Sequence, residues 1–385
     1  MELMTKKKVE TALPLSADRH FSPRAAGPFA KSLEDSGVVD YFQTWDQLTS
    51  WWPRDLWRED TTPMYSTLPD CDSFQDPFVA GTFGLAATEE LGIAVSTDAI
   101  RNGPAELLQT MLTLADATAG KAVLMLGAGE VKQAGPFGYK RSEGLARMED
   151  LLRIFRLLLN TDGPIDFDGK FWKYKQAWIG EAKANQPKVY PMGGGERLIN
   201  LAAECADGFV SITPFAFHTP EQYAAEVDKV KVALDKAGRD PEDFTFGLWH
   251  NVLLFDESED RDAVLDNPLL RFIAAVFGRF KQSDWLAEGF QPVFPEDWHY
   301  ALKLLPVEMS REEADRIVEA TPRTMVEKTF ICGTPEEVMP GLQEYVEAGA
   351  SFVSLIDMSP CARPAEEAES AHERQLEVCR LLKAT

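Results

Sequence analysis

The sequence predicts an α/β fold, a (β/α)₈ TIM barrel carrying a long helical insertion late in the barrel. Three observations lead there. Eight short apolar segments alternate with amphipathic helical ones, the pattern of a parallel sheet with helices outside it. No Gly-x-Gly-x-x-Gly follows the first strand, which disfavours an open dinucleotide-binding sheet with the same alternation. Two long segments outside the repeat follow strand ends, where the loops of a barrel's active face belong.

In chain order, strands are expected at residues 12–16, 38–42, 92–96, 122–127, 188–192, 208–212, 246–255 and 351–356. Helices are expected between most of them, at 23–35, 104–117, 143–159, 197–205, 220–237 and 335–348. Thr219-Pro220 and Thr334-Pro335-Glu336-Glu337 read as helix starts, with Thr as cap and Pro in the first turn. Gly37, Gly238 and Gly349 suit left-handed helix ends. The segment 43–72 reads as a loop rich in Trp, Pro and Asp, with Trp45, Trp51, Trp52 and Trp57. Residues 256–328 read as an insertion within a single domain spanning 1–385, with Trp285, Trp298 and many Phe.

Composition narrows the function classes. With 45% hydrophobic residues the chain can bury a sizeable core. No run approaches the ~18 apolar residues that span a bilayer, so no membrane span is expected. No apolar signal core stands near the N-terminus, which points to the cytoplasm. A net charge of −23 makes nucleic acid a poor partner. A small molecule is the expected ligand. Cys71, Cys205, Cys332, Cys361 and Cys379 are far apart with no Cys-x-x-Cys, and His218, His250, His299 and His372 share no metal-ligand spacing. No metal site or disulfide framework is therefore expected.

Four sites carry candidate chemistry. The segment Val38 to Trp45 runs from an apolar strand into Asp40, Tyr41, Gln43 and Trp45, although a turn capped by Asp would look the same. Gly92 to Thr97 is a strand ended by small residues before Gly103-Pro104 opens a helix, a pattern also found in ordinary strand–loop–helix units. Gly127-Ala128-Gly129-Glu130 lets backbone approach a planar ligand and delivers an acid at a strand end. Gly193-Gly194-Gly195 precedes a helix whose free N–H groups suit a phosphate, and a structural tight turn is the alternative.

Together these segments resemble the luciferase-like superfamily, and within it the enzymes that use the deazaflavin coenzyme F420. Asp40 to Trp45 is similar to the Asp-His-Phe-Gln-Pro-Trp segment of F420-dependent glucose-6-phosphate dehydrogenases. Gly127 to Glu130 is similar to their Gly-x-Gly-Glu, and Gly194-Gly195 with Ala206-Asp207-Gly208-Phe209 to their phosphate-binding glycines and following strand. The resemblance runs from about residue 13 to 357 and extends to phthiodiolone ketoreductases. It implies that Asp40 and Thr97 contact the deazaflavin, and that Ala94-Val95 is a non-proline cis peptide behind the ring. It further implies that Gly129, Glu130 and Gln133 line the ring and tail, while Gly194 and Gly195 hold the phosphate. Homodimers are usual in the family.

Two departures shape the functional expectation. The family's catalytic histidine position holds Tyr41, and Arg19 stands beside His20 where the sugar-phosphate enzymes are acidic. No basic residues match those that grip a sugar phosphate. The expected activity is hydride transfer between F420 and a ketone or secondary alcohol, with Glu130, Tyr41 or His20 handling the proton. Burial beside a ring would raise Glu130 towards neutrality. Trp45 would stack on the substrate side, and the aromatic rim suits an apolar substrate. The alternatives are an FMN-dependent monooxygenase on the same fold and a cofactor-binding member without catalysis.

Overall fold

The computed structural model describes residues 8–256 and 261–384. Its strands are β1 (Glu10–Pro14), β2 (Tyr41–Trp45), β3 (Gly92–Asp98), β4 (Ala122–Gly127), β5 (Ile165–Asp168), β6 (Lys173–Ala177), β7 (Lys188–Met192), β8 (Gly208–Thr213), β9 (Thr245–Leu254), β10 (Ile331–Gly333) and β11 (Phe352–Asp357). Eight of them, β1-β2-β3-β4-β7-β8-β9-β11, pair in parallel around a circle. The barrel closes where Glu10, Thr11 and Ala12 of β1 meet Phe352, Val353 and Ser354 of β11.

Alternation along each strand divides the core. Inward residues such as Tyr41, Met125, Tyr190 and Phe352 fill the barrel. Outward residues such as Ile93, Val95, Leu124 and Leu126 pack on the helices through Leu108, Met111, Leu151 and Phe155. A further cluster joins the loop after β2 to the segment between β9 and β10, with Leu56, Trp57, Phe272, Phe277 and Trp285.

All eight barrel strands were expected, but β2 forms three residues later than its expected 38–42. Asp40 stops the earlier register, because its Oδ2 accepts from the Thr11 N–H at 2.7 Å. The ladder then starts level with β3, pairing Tyr41 with Gly92 and Trp45 with Ser96. Polar Gln43 and Thr44 are buried within this strand, and Thr44 Oγ1 is satisfied by the Pro77 carbonyl at 3.1 Å.

The region read as loop 43–72 thus begins inside β2 and continues through short 3₁₀ turns at Arg54–Leu56 and Pro63–Ser66. The described part of the expected insertion is helical at Arg261–Leu265, Pro268–Phe277, Gln282–Ala287, Tyr300–Lys303, Arg311–Ala320 and Arg323–Thr329. Elements without a sequence expectation include the helix Pro77–Leu85, the short helix Val131–Ala134, the β5–β6 hairpin, β10 and the helix Ala368–Ala384. That last helix carries Lys383, whose Nζ pairs with Asp40 and donates to the Val9 carbonyl. The helix start at Thr334 is a capping box, with Glu337 Oε2 accepting from the Thr334 N–H at 2.9 Å. The five cysteines are free.

His250, on the outer face of β9, is wholly buried and meets Thr213 Oγ1 at 2.9 Å. Burial pushes its pKa down to about 3 from the ordinary 6.5. Below about pH 6.5 the unfolded chain binds a proton that the folded chain refuses, so stability falls as pH drops towards 3. The loss from this group approaches about 1.4 kcal/mol per pH unit. Urea midpoints measured between pH 7 and 4 should show that slope, and His250→Gln should flatten it; an unchanged slope in the variant would refute the assignment.

Candidate active site

The C-terminal ends of the strands open into one cavity of about 1520 Å³, with contributions from β2, β3, β4, β7, β8, β9 and β11 and from the segment before β10. This is the face on which barrel enzymes place their chemistry.

On the β2–β3 side the wall is polar and tightly connected. Asp46, directly after β2, accepts from Thr97 Oγ1 at 2.6 Å. Arg101 bridges this carboxylate at 2.9 Å and that of Asp98 at 2.6 Å. Burial works against the Arg101 charge, but Asp98 and Asp46 together outweigh it and raise the guanidinium's pKa. Asn102 completes the set by donating to Thr97 Oγ1 at 2.8 Å. Asp46 is therefore held as an oriented acceptor facing the cavity.

At the end of β4, Gly129 has φ +82°, and a side chain there would meet Ile100 at 2.7 Å. This turn presents Glu130 to the cavity. One oxygen of Glu130 pairs with Lys132 Nζ at 3.1 Å. Lys132 is 1% exposed, lies 5.2 Å from the Trp51 ring centre and donates to the Thr49 carbonyl at 2.8 Å. Burial drives its pKa down, only partly opposed by Glu130. Gln133 accepts from the Leu48 N–H at 2.7 Å and donates to the Thr49 carbonyl at 3.1 Å. The β4 turn and the loop after β2 thus form one wall.

After β7 the chain turns through Gly193 (φ +140°) and Gly195 (φ +94°) into the helix Glu196–Cys205. Among the described residues, the N–H groups of Gly194 to Arg197 have no hydrogen-bond partner. Side chains added at Gly194 or Gly195 would meet nothing closer than 4.0 Å. Bare donors beside open space at the N-terminus of a ten-residue helix suit an anionic group. Across the mouth, Trp45 packs edge-on against Trp51 and obliquely on Trp249. The indole nitrogens of Trp45 and Trp51 are buried without partners.

The cavity wall gathers Trp45, Thr97, Gly129, Glu130, Gln133, Gly194 and Gly195 from the sequence-predicted set. Four expectations require correction. Tyr41 lies at the opposite, N-terminal end of β2, 2% exposed, donating to Glu10 at 3.1 Å. Burial and then Glu10 push its hydroxyl well above the ordinary tyrosine range. Asp40 lies at the same end, engaged by Thr11 and Lys383. Both displacements follow from the three-residue shift of β2. His20 sits in the loop after β1, held 2.6 Å from Asp18, and is not on the cavity wall. The Ala94–Val95 peptide is trans: Thr213–Pro214 is the one cis bond among the described residues. Both residues pair regularly with β2 and β4, so the ladder leaves no room for a reversal.

The residues missed were Asp46, Arg101 and Lys132, together with Arg141, His299 and Tyr300, which also line the cavity. Asp46 was recoverable by placing β2's end after Trp45, which makes Asp46 the first acid at the mouth. Arg101 stands between two stretches that were singled out, Gly92 to Thr97 and Gly103-Pro104. Nothing in the sequence distinguishes Lys132 from a surface lysine.

Comparison with known proteins finds relatives named for F420 and structural neighbours named as monooxygenases. The profile of the luciferase-like monooxygenase family matches residues 48–351. The phthiodiolone/phenolphthiodiolone dimycocerosates ketoreductase of Mycobacterium sp. (strain JLS) is 28% identical over 329 residues, covering 83% of this chain and 84% of its own. The F420-dependent glucose-6-phosphate dehydrogenase of Kineococcus radiotolerans is 22% identical over 350 residues, 88% of each chain. An F420-dependent secondary alcohol dehydrogenase, solved in complex with an F420-acetone adduct, shares the fold with a TM-score of 0.69 at 18% identity, over 98% of each chain.

Proposed function

The chain belongs to the luciferase-like monooxygenase family, and from that premise we propose that it is a coenzyme F420-dependent oxidoreductase acting between a ketone and a secondary alcohol on an apolar substrate. The observation that carries this reading is the pairing, in one cavity, of an anion-ready glycine turn with a glycine-and-tryptophan slot that ends at Glu130. Support also comes from the relatives named for F420.

The residues present fit such a group. Gly194, Gly195 and the bare N–H groups after them would hold its phosphate. Gly127 and Gly129 on one side and Trp45 on the other would admit a planar ring, with Asp46, Thr97 and Gln133 at its polar edge. When bound, the deazaflavin supplies a two-electron hydride carrier. The chain's own work is orientation, exclusion of water by the tryptophan wall, and proton delivery at the substrate oxygen by Glu130. Lys132 fixes one carboxylate oxygen of Glu130, which lines the cavity.

Titration of the purified chain with F420 and with FMN tests the proposal. F420 is expected to bind at least about tenfold more tightly, a difference of about 1.4 kcal/mol. Tighter FMN binding with oxygen-dependent turnover would overturn it in favour of a monooxygenase.

A further inference from the structure

Arg141 opens a 3₁₀ turn, Arg141–Glu143, ahead of the helix Gly144–Asn160, and its side chain lines the cavity. Its Nε is buried without a hydrogen-bond partner. The charges of the buried Arg101 and Arg279 are compensated by ion pairs, Arg101 with Asp98 and Asp46 and Arg279 with Glu288 at 2.5 Å. Among the described residues Arg141 has no ion pair, although Glu130 and Asp98 are near enough to act on its charge. Each of those acids is already engaged, Glu130 by Lys132 and Asp98 by Arg101. Burial lowers the Arg141 pKa more than its neighbours restore it. A guanidinium nitrogen withdrawn from water with no acceptor, as Nε is here, is costly, and a planar oxyanion matches the fork that the rest of the group presents.

The surroundings define the rest of the occupant. His299 and Tyr300 stand beside Arg141 on the cavity wall. The Tyr300 ring packs on Phe277 at 4.3 Å and Phe280 at 5.1 Å. Its hydroxyl has no hydrogen-bond partner among the described residues. We infer that Arg141, with Tyr300 and His299, is a second anion-binding site that holds the carboxylate or similar oxyanion of an otherwise apolar substrate, whose body runs along Trp51, Phe277 and Phe280. The glycine turn after β7 already provides for a cofactor phosphate, whereas Arg141 lies beside the proton-handling Glu130. The inference rests on reading the cavity as shared by cofactor and substrate.

Calorimetric titration of the full chain with octanoate and with 1-octanol tests it. The wild type should bind octanoate at least about tenfold more tightly than the alcohol. R141Q should bind both within about twofold of each other, and R141K should keep a several-fold preference. F420 affinity in R141Q should stay within about threefold of wild type. No preference in the wild type, or a preference that survives in R141Q, overturns the site. A loss of F420 affinity in R141Q with the octanoate preference intact assigns the arginine to the cofactor and equally overturns it. These titrations need no bound cofactor, so FMN outcompeting F420 would sink the proposed activity without touching this result.

Discussion

Exchanging Glu130 for Gln is expected to slow single-turnover reduction of a ketone by about 10²–10⁴-fold, the usual contribution of a positioned acid or base. That is about 3–5 kcal/mol of barrier. The substitution keeps the side chain's size and its place at the end of β4, so F420 affinity should move by no more than about threefold. Stopped-flow reoxidation of reduced F420 at saturating ketone separates the two effects. Tyr41→Phe serves as the internal contrast: its hydroxyl faces Glu10 at the far end of the barrel, and the rate should be unchanged. If Glu130→Gln reoxidises as fast as wild type, the proton assignment is wrong.

Replacing Arg101 with Leu should cost about 3–5 kcal/mol of stability, as removing one partner of a buried pair does. The side chains of Arg101, Asp98 and Asp46 are 9%, 8% and 13% exposed, and the substitution strands two carboxylates against the barrel mouth. A lower urea midpoint with an unchanged slope would show it. Adding Asp46→Asn should recover part of the loss, because one of the two stranded charges is then gone. A loss under about 1 kcal/mol for Arg101→Leu would mean that water reaches the acids and that the network contributes little.

The barrel was legible because its strands are short apolar runs buried on both faces, as β3 and β4 are along most of their length. β2 misled for the same reason. Its apolar start, Val38-Val39, lies outside the ladder, while polar Gln43 and Thr44 lie inside it. The apolar start and the resemblance of Asp40 to Trp45 to the family's segment together moved the mouth from Asp46 to Asp40 and promoted Tyr41 into a site it does not occupy. The β5–β6 hairpin escaped notice because its alternation, Ile165 and Phe167 with aspartates and Tyr174 between lysines, runs for only four and five residues, and β10 is only three residues long. Glu130 and the glycine turn were legible because backbone geometry demands glycine at fixed places. Lys132 and Arg141 were not, since a buried cation and a solvated one are the same letter.

The three pairs joining β10 to β9 (Ile331 to Val252, Cys332 to Leu253 and Gly333 to Leu254) have a consequence for how the molecule could diversify. Neighbouring strands lie about 4.8 Å apart, so the long excursion carrying Phe277, His299 and Tyr300 leaves the barrel and returns to it at almost the same point. Such a segment behaves as a cassette: a different length or sequence can be spliced at its root without re-registering the cylinder. Chimaeras that trade this cassette between family members should exchange substrate preference while the half bearing Glu130 and the glycine turn stays as inherited.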